Sequence, residues 1–207
     1  MYTHTKDILA GGLALDQAKK AIIMIHGRGA NAQSIMSLQS HLDLTDAAIL
    51  APQATNHSWY PYSFLVPADQ NQPSLDSALQ VIDDLVKEIV SGGIPLNKIY
   101  FLGFSQGACL ALEYATRNAA EYGGVVAFTG GLIGEELNPG NYKGDFSNTP
   151  VLITTGNPDP HVPLSRVKES VKIIEQLHAK VTLKVYNGRA HTIQPEELKL
   201  TNELVLS

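Results

Sequence analysis

Ser105 stands between Gly103 and Gly107 in FLGFSQGACLAL (101–112), where an apolar run ends at Phe104 and a small-residue helical pattern begins. A strand, a glycine, a serine two residues on and a second glycine opening a helix describe a sharp turn that only minimal side chains allow. Such a turn lifts the serine hydroxyl to the N-terminus of a helix, where amide dipoles favour developing negative charge. Alone, the pattern also fits a capping serine in a glycine-rich turn. A serine hydroxyl becomes a nucleophile at neutral pH only beside a base that is itself oriented by a third group. GNPDPHVP (156–163) supplies Asp159 as orienter, and NGRAHTI (187–193) supplies His191 as base. Singly these are a turn carboxylate and a surface histidine; together, at successive strand ends, they complete a chain of proton transfer.

The rival groups are fewer than the composition suggests. Asp159 is the only carboxylate in its loop, and Asp145, in GDFSN, precedes its strand rather than following it. His161 is the main competitor to His191 but lies two residues beyond Asp159, on the orienter's own loop. His26 is expected to hold the loop that follows it, and His4, His41, His57 and His178 read as surface or edge residues. No histidine pair has the H-E-x-x-H spacing and the single cysteine cannot form a clustered site, so neither a metal nor a cofactor is expected. Cys109, four residues past Ser105, reads as a small buried hydrophobe rather than a nucleophile.

Attack on an acyl carbon creates an oxyanion that backbone N–H groups must meet. Gln106, directly after Ser105, supplies one. HGRGA (26–30) supplies the other, assigned to Arg28, with Gly27 and Gly29 letting the backbone turn inward.

These residues need a scaffold that brings several strand ends together. Short apolar runs occur at 21–26, 47–52, 98–104, 124–130, 150–156 and 181–186, and helical patterns fill the gaps at 32–42, 74–90, 108–118, 165–178 and 196–206. Strands alternating with helices imply an α/β fold, a mostly parallel sheet covered on both faces, with functional residues at the C-terminal strand ends. Residues 3–15 are expected to add an antiparallel edge hairpin.

At 207 residues, 44% hydrophobic and 17% charged, the chain suits one domain spanning 1–207. Its net charge of −5 and scattered 15 lysines and arginines argue against nucleic acid as a partner. No apolar stretch approaches the roughly 20 residues of a membrane span, so no stable membrane insertion is expected. The N-terminal MYTHTKDILAGG lacks the pattern of a secretory signal, and the expected compartment is the cytoplasm.

NHSWYPYSFLVPADQ (56–70) concentrates aromatics after the second strand, with Trp59 expected to line the substrate site. The segment from Gly130 to Thr149 is too short for a sizeable cap, which favours a shallow site and small esters. Arg28 and Arg189, on two of the site loops, are expected to favour substrates carrying an anionic group away from the scissile bond.

HGRG, GFSQG, GxxDxxVP (Gly156, Asp159, Val162, Pro163) and GRAHTI together resemble the phospholipase/carboxylesterase group of α/β-hydrolases, in order and spacing from Ala21 to the C-terminus. The resemblance implies an α/β-hydrolase fold without a large lid, a Ser105–Asp159–His191 triad, oxyanion donors at Arg28 and Gln106, a small-molecule ester substrate, no cofactor and, by analogy, a homodimer. Many relatives carry leucine at Arg28 and glycine at Ala190. The leading expectation is a serine carboxylesterase acting through an acyl-enzyme. Acyl-thioesterase or lysophospholipase activity, lactone hydrolysis and a non-catalytic small-molecule-binding homologue are the alternatives.

Overall fold

β-Branched runs without polar interruption become strands when both of their faces are covered. The computed structural model describes residues 1–207 and places six strands in parallel, five of them covered in this way, β2 (Lys20–Ile25), β3 (Ala47–Pro52), β4 (Ile99–Phe104), β5 (Gly124–Phe128) and β6 (Pro150–Asn157), and a sixth, β7 (Lys180–Asn187), at the edge with alternate residues exposed. The order across the sheet is β1-β3-β2-β4-β5-β6-β7, and β1 (Ile8–Gly12) runs antiparallel along the outer edge of β3. The expected hairpin at 3–15 is therefore a single strand. β3 lies on one side of β2 and β4 on the other, so the crevice at the C-terminal ends of β2 and β4 is the switch point where α/β sheets bind ligands.

Alternation along each strand divides the core in two. Ala21, Ile23 and Ile25 pack with α2 (Ser74–Ser91), α3 (Gln106–Arg117) and α4 (Leu164–Gln176) on one face. Ile22 and Met24 pack with α1 (Ala32–Met36), α5 (Pro195–Thr201) and the C-terminal turn on the other. In α2 the buried residues Leu75, Ala78, Ile82, Leu85, Val86 and Ile89 recur at helical spacing. Each large aliphatic side chain buried in this way contributes about 1.5–3 kcal/mol.

Two helices are shorter than their patterns. The 32–42 pattern gives α1, capped by Asn31, and then a 3-10 turn at Ser37–His41; the 196–206 pattern gives α5 and a π-helical turn at Asn202–Leu206. No large lid interrupts the sheet between β5 and β6. Its one helical turn there is Pro139–Asn141, and buried groups tie the segment down: Ile133 N–H and Tyr142 Oη–H donate to Glu113, while Arg166 donates to the carbonyls of Gly134 and Glu135. No helix is long and apolar enough to cross a membrane.

Candidate active site

Ser105 sits between β4 and α3 with φ 54° and ψ −117°. A non-glycine residue held there stores about 1–3 kcal/mol of strain. The turn is retained by Ser105 N–H donating to the Phe128 carbonyl (2.9 Å) and by Cys109 N–H donating to the Ser105 carbonyl (3.0 Å). Its glycines are steric necessities. A Cβ on Gly103 would meet the Gly107 carbonyl oxygen at 2.3 Å, and one on Gly107 would meet the Ile25 carbonyl oxygen at 2.1 Å.

Three loops converge on that hydroxyl. Ser105 Oγ lies 2.8 Å from His191 Nε2, and His191 Nδ1 lies 2.8 Å from Asp159 Oδ2. An ionised carboxylate can only accept, so Nδ1 carries the hydrogen and Nε2 is the lone pair facing Ser105. The Asp159 side chain is fully buried and that of His191 is 17% exposed. Desolvation pushes the Asp159 carboxyl upward, but hydrogen bonds from His191 and from the N–H groups of His161 and Val162 outweigh it and hold the group below its ordinary value. Asp159 is thus ionised at neutral pH and its second oxygen is committed to its own loop.

Neither the Gln106 N–H nor the Arg28 N–H donates to any protein group. The loop carrying Arg28 is held from behind: His26 Nε2 accepts from Ala54 N–H (3.1 Å), its Nδ1–H donates to the Gly27 carbonyl (2.8 Å), and Gly29 (φ 76°) donates to the His57 carbonyl (2.7 Å). Burial lowers the proton affinity of His26, which stays neutral in this role.

Above Ser105 opens a cleft of about 580 Å³, with Tyr60, Tyr62, Phe64, Phe104 and Val162 among its apolar walls and Arg28 and His161 at its polar ones. Trp59 is not a lining residue. It is fully buried behind the wall, its Nε1–H donating to the His26 carbonyl (2.8 Å), because the neighbouring Tyr60, Tyr62 and Phe64 turn toward the cleft instead. Arg28 does line the cleft, with its guanidinium fixed to Ser58 Oγ (2.9 Å) and to the carbonyls of Pro61 (2.8 Å) and Tyr62 (2.6 Å). Arg189 does not. Its side chain is 7% exposed and ion-paired with the fully buried Glu197, which draws it beneath the loop and away from substrate.

Sequence inspection missed two features. The Gln106 side chain, assigned no role, bridges two walls: Oε1 accepts from Trp59 N–H (2.9 Å) and Nε2 donates to the Tyr60 carbonyl (2.8 Å). An amide on the first turn of a helix predicted to be buried was the signal available. Glu197 had only its place in the QPEEL helix start, as the acidic member of a capping box with Gln194. Cys109 lines the cleft floor, where burial pushes its thiol up to about 12 and leaves it unreactive.

The chain is similar to known proteins along nearly its whole length. The sequence profile of the phospholipase/carboxylesterase family matches residues 13–205. Acyl-protein thioesterase 1 of Saccharomyces cerevisiae is 29% identical over 89% of this chain and 91% of its own. The crystal structure of a phospholipase/carboxylesterase from Dyadobacter fermentans superposes with a TM-score of 0.99 at 61% identity, covering 100% of this chain and 99% of that one. The Bacillus cereus carboxylesterase shares the fold, with a TM-score of 0.78 at 18% identity over 96% of this chain and 92% of that one. With its mostly parallel sheet, its serine on the strand-to-helix turn and this match along nearly its whole length, the chain belongs to the phospholipase/carboxylesterase family of α/β-hydrolases.

Proposed function

We propose that this protein hydrolyses carboxylic esters of small or medium acyl chains through an acyl-enzyme on Ser105. The observation that carries the proposal is the unbroken run of hydrogen bonds from Ser105 through His191 to Asp159. His191 Nε2 takes the Ser105 proton as Oγ attacks the acyl carbon, and Asp159 stabilises the imidazolium that results. The tetrahedral oxyanion is met by the free N–H groups of Gln106 and Arg28. His191 then protonates the leaving alcohol, and a water activated in the same way frees the acid and restores Ser105.

The cleft bounds the substrate. Its aromatic walls accept an acyl chain, and its lining contains Arg28 and His161 but no aspartate or glutamate. Esters whose flanking group is neutral or anionic suit that wall better than cationic ones. A thioester has the same acyl chemistry, and the similarity to an acyl-protein thioesterase favours it as a second substrate class. Labelling by a fluorophosphonate, together with hydrolysis of short acyl esters and thioesters, tests the proposal. Both are expected in the wild type and absent in Ser105→Ala; equal labelling and turnover by that variant would sink it.

A further inference from the structure

Arg189 and Glu197 flank the base loop, two residues before His191 and six after it, and their contacts reach every neighbouring strand end. One Glu197 carboxylate oxygen accepts from the Thr154 hydroxyl of β6. The other accepts from Gln194 N–H (2.7 Å) and forms the ion pair with Arg189 Nη1. Arg189 Nη2 donates to Thr129 Oγ1 (3.1 Å), immediately after β5, and the guanidinium lies 4.8 Å from the centre of the Tyr186 ring of β7. Thr129 N–H in turn donates to the Thr154 carbonyl (2.8 Å). The Arg189 carbonyl packs so closely on Gly156, at the start of the Asp159 loop, that a Cβ there would approach to 2.7 Å.

The loop has little else to fix it. Between residues 189 and 193 its one backbone-to-backbone bond is Thr192 N–H to the Ala190 carbonyl (2.9 Å). Ala190 has only a methyl group, which makes no hydrogen bond, and the His191 ring is hydrogen-bonded only to Asp159 and Ser105, with a tilted contact to the Phe104 ring and an edge contact to His161. A histidine that must accept a proton from one side and be held from the other needs its backbone at one height.

We infer that Arg189 and Glu197 are positioning residues: their buried pair fixes the His191 loop to the ends of β5, β6 and β7 and so places the imidazole between Ser105 and Asp159. The inference rests on the proposed hydrolase chemistry. Neither side chain lines the cleft, and both act through the backbone of His191. A displacement of this kind costs turnover rather than binding, because apart from His191 itself the cleft walls belong to other loops.

Removing one partner alone strands a buried charge and endangers the fold, so the test uses Arg189→Met/Glu197→Gln, which removes both charges, with Arg189→Lys as the conservative variant. In the double variant, with native circular dichroism, kcat for an acyl ester is expected to fall about 10- to 100-fold with KM within about twofold. Arg189→Lys is expected to retain most of the wild-type kcat. The downfield proton resonance of His191 Nδ1–H, assigned by its absence in His191→Gln, is expected to broaden or vanish in the double variant. A folded double variant with wild-type kcat and an unchanged resonance overturns the inference. Should the wild type hydrolyse no ester, the proposed activity fails, yet the resonance still decides: its persistence in the double variant overturns positioning and its loss upholds it.

Discussion

The Gly107 backbone fills the side-chain space of Gly103: a Cβ built on Gly103 falls 2.3 Å from the Gly107 carbonyl oxygen, across the turn that presents Ser105. The contact is backbone on both sides, so no rotamer change relieves it. Gly107 packs as closely on β2, where an added Cβ would fall 2.1 Å from the Ile25 carbonyl oxygen. The turn can hold Ser105 at φ 54° only because both flanking positions are bare.

Alanine at either glycine is therefore expected to lower stability by more than about 2 kcal/mol, as overpacking does at its upper range. Gly29→Ala is the control. Its φ of 76° disfavours a side chain, but nothing lies within 4 Å of the new Cβ, so about 1 kcal/mol is expected. Urea midpoints of the three variants check the order, and a Gly103→Ala protein as stable as Gly29→Ala would contradict the steric account.

Replacing His191 by alanine, or Asp159 by asparagine, is expected to lower kcat for an acyl ester by about 10³-fold or more with the fold intact. Steady-state kinetics on variants with native circular dichroism provide the check, and a folded His191→Ala protein with wild-type kcat counts against His191 as the base.

Gln106→Ala leaves the backbone N–H in place but strands the buried Trp59 N–H that its side chain now serves and leaves the Tyr60 carbonyl with Ser58 Oγ–H as its remaining donor. The expected loss is about 1–3 kcal/mol of stability, accompanied by a higher KM as the wall around Tyr60 loosens. Gln106→Glu keeps the acceptor for Trp59 but sets a buried carboxylate oxygen against the Tyr60 carbonyl, so it should unfold at or below the temperature of the alanine variant. Equal melting temperatures for all three would show that the bridge contributes nothing.

The buried His26 and the half-buried His4 are expected to set the response to mild acid. His4 Nδ1 accepts from Thr55 N–H (3.1 Å) and its Nε2–H donates to the Trp59 carbonyl (2.9 Å). Desolvation lowers the proton affinity of both His4 and His26, only partly offset by their bonds to backbone carbonyls. The unfolded chain, with imidazoles near about 6.5, then binds more protons than the native state just below that pH, so stability rises with pH there. It is complete above about 6.5 and lost as pH falls toward the lowered native values. The Asp159 contribution persists to lower pH and disappears only as its depressed carboxyl is protonated. Denaturant midpoints at pH 7.5, 6.5 and 5.5 should decline, with a smaller decline in His4→Gln; no change across that range would refute this assignment.

The sequence by itself determined the parallel strands, the helices between them and the identities of Ser105, Asp159 and His191. Each of those depends on local rules: hydrophobic period, the small residues a sharp turn demands, and the end of the strand on which a loop lies. Tertiary structure alone decided where the loop side chains point. Trp59 and Arg189 have the residue types of a substrate wall, yet one turns behind it to reach the His26 carbonyl and the other is drawn under the base loop by Glu197. Tyr60, Tyr62, Phe64 and His161 face the cleft in their stead. The physical reason is that a loop residue has no repeating face. Its direction is chosen by whichever distant partner satisfies its polar atoms or fills its volume, and that partner, 33 residues away for Trp59, leaves no period in the chain.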